Sequence, residues 1–207
     1  MAYRQTPAVR QRLDATRAGI VTAATDLVAE HGYGGCGMAA VAEAAGVGTG
    51  TIYGFFPGKG ELFAEVFRQA SAREVSAASA AGWQAMTEGS PRASILAAAR
   101  TFCTRALSSP KLAYALIAEP VDPLVAAERL AFYDAYTDLL ASAVKVGIDS
   151  GELAEQDPRV AGAAIMGAVA QALVIPLARG TADPAVVESL IAFIDRSLGH
   201  GNHAPNV

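Results

Sequence analysis

The chain has 207 residues, of which 52% are hydrophobic and 17% charged, and its formal net charge is −4. A chain of this length can bury a large core, in one domain or in a small domain fused to a larger one. The excess of acidic residues argues against indiscriminate nucleic-acid binding but not against a local surface that contacts nucleic acid. The mean hydropathy of +0.29 is high for a soluble monomer, so we expect an oligomer.

The two cysteines, Cys36 and Cys103, lie far apart and have no paired spacing. No charged-then-apolar leader opens the chain. We therefore expect two reduced thiols and a cytoplasmic location. His31 has no second His, Cys or carboxylate at ligand spacing, so we expect no metal and no other cofactor.

The N-terminal part predicts one long helix and two short ones. Apolar residues recur with the helical period over residues 9–31, and Gly32 ends that stripe. Short helices are predicted over residues 38–45 and 49–55. Gly46 lies between them, where a helix must end in a left-handed conformation, and this spacing is typical of a helix-turn-helix unit.

The remainder of the chain also predicts helices. Lys59 begins a long helix that extends to about Ala81. Proline near the starts and glycine near the ends delimit five more helices, at residues 91–107, 111–118, 123–149, 158–179 and 184–198. No convincing strand is present, so the predicted fold class is all-α.

Three sequence features carry a resemblance to a known family. They are E-H-G-Y at residues 30–33, apolar Met38 and Val41 before A-E-A-A-G-V at 42–47, and G-T-I-Y-G-F-F-P-G-K-G-E-L at 50–62. On these features residues 9–62 resemble the DNA-binding head of the TetR family of bacterial transcriptional regulators. The resemblance implies a helix-turn-helix DNA-binding domain over residues 1–57 and a larger helical effector-binding and dimerisation domain over 58–207.

Each matching residue of the head has an expected position. Ile52 and Phe56 are four apart, so they should pack into the core on Leu27, Met38 and Val41. The resemblance implies that threonines contact bases or phosphates and that Tyr53 contacts a phosphate. It also implies that the DNA backbone approaches closely at glycines and that a phosphate binds at the start of the helix that Lys59 begins. The predicted DNA-binding residues are Arg12, Gly48, Thr49, Gly50, Thr51, Tyr53 and Lys59.

Two alternatives remain open for the basic residues. The N-terminal arginines, Arg4, Arg10, Arg12 and Arg17, could form a solvated face, and Lys59 could be a solvated lysine. The recognition helix contains no Arg, Asn or Gln for bidentate base contacts. Specificity should therefore depend on threonine and methyl contacts, on DNA shape and on the arginines.

The last two predicted helices suggest an interface. Residues 160–178 are almost wholly apolar, which also permits a membrane span, but their small residues favour a buried helix that another helix approaches closely. The resemblance implies a four-helix dimer interface. The predicted interface residues are Ala163, Gly167, Val174, Val187, Leu190, Ile191 and Ile194.

Aromatic residues between the head and these helices predict either ordinary core packing or a mostly apolar effector pocket. Phe132 and Tyr136 are four apart and should face the same way. The candidate pocket residues are Trp83, Phe102, Arg105, Tyr114, Phe132, Tyr136 and Met166.

The resemblance implies a ligand-responsive homodimeric repressor, released from a near-palindromic operator by a small, mostly apolar effector. The donor-poor recognition helix keeps open a ligand-sequestering or protein-interaction module with a degenerate head. An enzyme is not expected, because no catalytic set of residues is recognisable and the glycines at 46, 48 and 50 follow a helix rather than a strand.

Overall fold

The computed structural model describes residues 6–181 and 183–201, so Arg4 of the predicted basic arm lies outside the described residues. The described residues form helices and no strands. The helices are α1 (Pro7–His31), α2 (Met38–Ala44), α3 (Thr49–Phe55), α4 (Lys59–Glu88), α5 (Pro91–Ser108), α6 (Pro110–Ile117), α7 (Pro123–Asp149), α8 (Pro158–Arg179) and α9 (Ala185–Ser197).

Local sequence accounts for the ends of the first three helices. The Thr6 hydroxyl accepts a hydrogen bond from the Val9 amide at 3.4 Å and caps α1, which ends at Gly32. Gly46 has a φ of 64° in the turn between α2 and α3. This left-handed conformation suits glycine and confirms the predicted turn.

The head is built around one face of α1. Ile20, Val21, Ala24 and Val28 of α1 are buried together with Val41 of α2. Each fully buried aliphatic side chain of this size contributes about 1.5–3 kcal/mol to the free energy of folding. The predicted partners Leu27 and Met38 are half-buried and pack against this core.

The rest of the described chain is a helical body in which α4 packs along α5 and α7, and α7 packs along α8. At Gly162 of α8, an added Cβ would lie 2.7 Å from the Thr137 carbonyl oxygen of α7. A side chain at this position would therefore separate the two helices, as the small residues in the sequence suggested.

Helix α4 is longer than predicted and continues to Glu88. Its Ala- and Ser-rich second half packs closely on α5, where an added Cβ at Gly82 would lie 3.1 Å from the Ser94 hydroxyl. The small residues of this segment therefore allow close packing between the two helices and do not mark the end of α4.

Among the described residues, α8 is long and apolar enough to cross a membrane, with a mean hydropathy of 2.0. In the structure, Ile165, Met166, Val169 and Leu173 of α8 are buried within the protein. The apolar side of α8 that carries these four residues is therefore covered by α5, α6 and α7.

Candidate functional sites

Helix α3 buries one side and exposes the other. Ile52 is fully buried, and Phe56, the residue that follows α3, is 3% exposed. Thr49, Thr51 and Tyr53 are exposed, with Tyr53 retaining 52% of its accessible surface. The helix is therefore held from beneath while its hydroxyl groups face outward.

The two glycines at the start of α3 leave the backbone accessible. A Cβ added to Gly50 would meet no atom within 4 Å, and one added to Gly48 would meet only the Thr51 hydroxyl, at 3.9 Å. Packing within the protein does not require glycine at position 50. The absence of a side chain there keeps space for an external partner.

Lys59, the first residue of α4, contacts its own protein more than the sequence suggested. Its Nζ donates a hydrogen bond to the Tyr33 carbonyl oxygen at 3.2 Å. The same nitrogen lies 4.2 Å from the centroid of the Tyr33 ring and 5.5 Å from that of Phe63. Part of the lysine's donor capacity is thus used to join α4 to the loop after α1.

The basic residues of α1 divide into two groups. Arg10 and Arg12 are exposed. Arg17, in contrast, donates to Glu65 at 3.3 Å, and its guanidinium lies 4.9 Å from the centre of the Phe56 ring. Arg17 therefore joins α1 to α4, and the predicted basic surface loses one of its arginines.

Glu65 accepts hydrogen bonds from three side chains. Arg68 donates at 2.6 Å, Gln69 at 2.7 Å, and Arg17 completes the cluster. The hydrogen bond from Arg68 is the largest cause that lowers the pKa of Glu65 to about 2, and it outweighs burial, which acts in the opposite direction. The carboxylate consequently remains ionised well below the usual range of a glutamate.

The loop between α1 and α2 is bound to the connection between α6 and α7. The Glu119 carboxylate accepts from the amides of Tyr33 and Gly34, each at 2.9 Å. The Tyr33 hydroxyl donates to Asp122. Burial and then this hydrogen bond raise the pKa of Tyr33 to about 12. Sequence reasoning missed this clamp because no local pattern relates residues about ninety positions apart.

Arg129 of α7 fixes the other side of the same connection. Its guanidinium donates to the carbonyl oxygens of Ala115 at 2.8 Å, Leu116 at 3.0 Å and Glu119 at 2.5 Å. Burial lowers the pKa of Arg129, although arginine remains protonated at any physiological pH. Glu119 thereby joins the end of α6 and α7 to the head, beside the hydrogen bond from Tyr33 to Asp122.

Three predicted pocket aromatics pack on one another. The ring of Tyr136 lies edge-on to those of Phe102 and Phe132, with centroids at 5.3 and 5.8 Å. The Tyr136 hydroxyl donates to the Ala98 carbonyl oxygen at 2.9 Å, and burial raises its pKa. Tyr136 therefore packs as an ordinary core residue, because its hydroxyl group already has a hydrogen-bond partner.

A small cavity lies beside these rings. Phe102, Arg105 and Phe132 line it together with residues of α6, and its volume is about 30 Å³. That space holds one or two water molecules. In this conformation the predicted pocket is therefore too small for an organic effector.

The remaining candidates for the pocket lie elsewhere. Trp83 is 72% exposed and lies on the outer surface, because the face of α4 that carries it points away from the core. Met166 is 1% exposed within the core, and Tyr114 does not line the cavity. The guanidinium of Arg105, another candidate pocket residue, is paired with Glu74 at 2.6 Å.

Two open grooves run beside α4. The larger lies between α4 and α7 and has a volume of about 730 Å³. The second has a volume of about 360 Å³ and is bounded by α4, α5 and α7. Trp83 and Ser79 line both grooves, so the two are adjacent.

The predicted interface residues of α9 face the interior of the protomer. Val187, Leu190, Ile191 and Ile194 are between 0% and 8% exposed, because the apolar stripe of α9 packs against α5 and α8. The exposed apolar residue of α9 is instead Phe193, at 53%. The apolar stripe of α9 thus packs within the protomer, and its part in a subunit interface stays a prediction.

The predicted interface residues of α8 are more accessible. Ala163 and Gly167 are exposed, and Val174 is half-buried. Val160, at 66%, and Ile175, at 54%, are further exposed apolar residues of this helix. An apolar surface thus extends along α8, although the sequence stripe did not identify Val160, Ile175 or Phe193.

Comparison with known proteins agrees with this architecture. Residues 20–66 match the family model described as bacterial regulatory proteins of the tetR family. A search of curated proteins found no match.

Several solved structures have the same fold over nearly the whole chain. The fatty acid degradation regulator FadR from Bacillus halodurans has a TM-score of 0.75 and 21% identity, covering 95% of this chain and 99% of its own. FadR from Bacillus subtilis in complex with stearoyl-CoA has a TM-score of 0.72 and 20% identity, covering 86% and 96%.

RolR in complex with resorcinol has a TM-score of 0.67 and 22% identity, covering 92% of this chain and 90% of its own. The match over the head and the shared fold beyond it agree with the motifs from Glu30 to Leu62. Residues 20–66 of this chain are therefore similar to the tetR family of bacterial regulatory proteins, and nearly the whole chain shares the fold of these solved structures.

Proposed function

We propose that this protein is a homodimeric transcriptional repressor that a small, mostly apolar effector releases from a near-palindromic operator. In this proposal residues 1–57 form the DNA-binding domain and residues 58–207 the effector-binding and dimerisation domain. The protein would act in the cytoplasm, where its operator and its effector are both accessible.

The observation that carries the proposal is the orientation of α3. Ile52 is fully buried, while Thr49, Thr51 and Tyr53 on the same short helix are exposed. A recognition helix must present polar groups to a groove of DNA while its apolar side is fixed to the protein. The two faces of α3 meet both requirements.

The proposed contacts follow from this orientation. Tyr53 and Arg12 would bind phosphates, Thr49 and Thr51 would contact base edges or phosphates, and Gly48 and Gly50 would admit the sugar-phosphate backbone. Lys59 would bind a phosphate with the donors that remain after its hydrogen bond to Tyr33.

The clamp at Glu119 supports coupling between an effector and the head. The small cavity is lined by Leu112, Ala113, Leu116 and Ile117 of α6, and Glu119 follows the end of that helix. A ligand that widens the cavity would displace α6. Because Glu119 binds the amides of Tyr33 and Gly34, that displacement would move the head.

The exposed apolar face of α8 and α9 supports a homodimer. Val160, Ala163, Gly167, Ile175 and Phe193 would be buried between two copies. Two-fold symmetry would then present two α3 helices to two half-sites of an operator.

The solved relatives support a small organic effector. FadR from Bacillus subtilis was solved with stearoyl-CoA and RolR with resorcinol. Both complexes show that this fold accommodates organic ligands, and the apolar lining of the grooves in this chain fits a ligand of mostly apolar character.

The test is DNA binding by the purified protein to fragments from its own genomic neighbourhood. We expect a shifted fragment whose affinity falls steeply as salt rises. Tyr53→Phe removes only a hydroxyl, so its affinity for every bound fragment should fall about tenfold. Thr87→Ala, which removes an exposed hydroxyl near the C-terminal end of α4, is the control and should bind as the wild type does.

A second candidate function shares the scaffold. The exposed face of α3 offers hydroxyl groups but no Arg, Asn or Gln, which favours a ligand-sequestering or protein-interaction module with a degenerate head. Binding of no genomic fragment at low salt would support this second candidate. Equal binding by Tyr53→Phe would contradict the contact assigned to Tyr53.

A further inference from the structure

The α4–α7 groove is long and narrow in relation to its volume. Its walls extend along α4 from Arg68 to Trp83, and the adjoining groove continues to Met86. At the helical rise, residues 68–86 span about 27 Å. A groove of this form fits an extended molecule rather than a compact one.

The lining is mostly apolar and small. Ala72, Ala80, Ala131 and Ala135 contribute only methyl groups, and the indole of Trp83 stands beside them with 72% of its surface exposed. An exposed indole next to a concave apolar surface is costly in water and is a common anchor for a ligand.

The charges in the larger groove cancel. Arg68 and Glu128 are the charged residues among its lining, and the Arg68 guanidinium is already paired with Glu65 at 2.6 Å. An anionic ligand would therefore lose hydration without gaining a free counter-charge, and a cationic ligand would meet only Glu128, whose charge already acts on Arg68. The groove is suited to an uncharged ligand.

One polar group in the groove wall lacks a partner. Ser71 is 7% exposed, and among the described residues its Oγ is the buried side-chain oxygen or nitrogen without a hydrogen bond. A buried hydroxyl without a partner is unfavourable by about 1–3 kcal/mol. A ligand hydroxyl or carbonyl that reaches Ser71 would remove this cost.

Phe132 separates the groove from the inner cavity. Its ring lines both spaces and is 3% exposed. The outer groove and the cavity beside α6 are therefore adjacent at this side chain. A ligand in the groove would lie against a residue that also lines that cavity.

We propose that the α4–α7 groove binds an elongated, uncharged, mostly aliphatic molecule with one hydroxyl or carbonyl group. The aliphatic part lies along the alanines and Trp83, and the polar group binds Ser71 after Phe132 moves aside. The regulatory consequence of this site, displacement of α6, rests on the proposed function. The binding itself does not.

A small molecule fits this surface better than a protein segment. The cavity on the other side of Phe132 has a volume of about 30 Å³, which admits neither a helix nor a strand. The groove volumes of about 730 and 360 Å³ are within the size range of small-molecule sites.

The test uses Trp83, the single tryptophan of the chain, as a fluorescent reporter. The full-length protein is titrated with decanol, and in parallel with decanoate and decyltrimethylammonium. Decanol should shift the emission of Trp83 to shorter wavelength in a saturable manner. Both charged analogues should bind about tenfold or more weakly.

Matched variants locate the site. Ala135→Leu fills the groove from an exposed position, so it should retain the wild-type melting temperature and lose about tenfold in decanol affinity by calorimetry. Ala127→Leu is the same change at an exposed position of α7 outside the groove, and its affinity should be unchanged.

Ser71→Ala distinguishes a ligand contact from a structural defect. It should raise the melting temperature, because it removes an unpartnered hydroxyl, and yet weaken decanol binding about threefold or more. The proposal is overturned by an unchanged Trp83 spectrum, by equal affinity of Ala135→Leu and wild type, or by tighter binding of either charged analogue.

These titrations contain no DNA. A protein that binds decanol in the groove but no operator would contradict the proposed function and support the groove. A protein that binds its operator but shows no response of Trp83 to decanol would support the proposed function and contradict the ligand site in the groove.

Discussion

Helices α3 and α9 are both amphipathic and both near a predicted functional surface, yet they use their apolar sides differently. In α3 the apolar residue Ile52 is buried and the predicted contact residues are exposed. In α9 the predicted contact residues, Ile191 among them, are the buried ones, and Phe193 is exposed.

An apolar stripe thus indicates a buried face but not which element covers that face. For α3 the covering residues lie nearby in sequence, in α2, and the motif includes them. For α9 they belong to α5 and α8, about ninety and twenty residues away. A second subunit and the protomer's own core produce the same periodicity.

The largest effect is expected at α9. Ile191→Asp places a charge in a site that is 7% exposed, so we expect it to lower the free energy of unfolding by about 4 kcal/mol or more, measured by urea denaturation. Phe193→Asp is the control within the same helix. It should remain folded by circular dichroism and, if α8 and α9 form the interface, become a monomer by light scattering.

A folded, monomeric Ile191→Asp variant with wild-type helicity would break the comparison, because the stripe of α9 would then face a partner. A dimeric Phe193→Asp variant would place the subunit interface away from α9.

An intermediate effect is expected at α3. Ile52→Ala should lower the free energy of unfolding by about 2–5 kcal/mol, because it leaves a cavity beneath the helix. Thr51→Ala, the neighbouring exposed residue, should change it by less than about 0.5 kcal/mol but alter DNA sequence preference. Equal stability losses in the two variants would mean that α3 has no distinct buried side.

The smallest effect is a pH dependence at the junction between α1 and α4. Because the folded pKa of Glu65 is lowered from 4.5 to about 2, its stabilising contribution is complete above pH 4.5 and is lost as the pH falls toward 2. Solvent screening at the exposed arginines limits this contribution to the order of 1 kcal/mol.

Glu65→Gln should therefore be less stable than the wild type at neutral pH and should lose less stability across this acidic window, as measured by thermal melting. Glu155→Gln, at an exposed position, is the control and should follow the wild type. A Glu65→Gln variant with the wild-type pH profile would show that the ion pairs with Arg17 and Arg68 contribute nothing.

The sequence predicted the helices and the head in detail. Gly46, Ile52 and the starts at Thr49 and Lys59 were located correctly because capping, turn geometry and short-range packing depend on nearby residues. The all-α fold followed from helical periodicity, from proline and glycine at the helix ends and from the lack of a convincing strand pattern.

The parts that the sequence did not predict depend on how distant helices meet. Lys59 was expected to face outward, but the carbonyl of Tyr33 lies within its reach. Trp83 was expected near Phe102, but α4 turns it away from the core. Local patterns also contain no information on Glu119, whose partners lie in the first third of the chain.

The clamp at Glu119 has an evolutionary consequence. A single carboxylate binds two backbone amides of the head, and backbone amides are present whatever the side chains are. Residues 49–53 could therefore diversify toward new operators, and the grooves toward new ligands, without disturbing the mechanical joint between them. Duplicated copies of such a gene could acquire a new input or a new target independently.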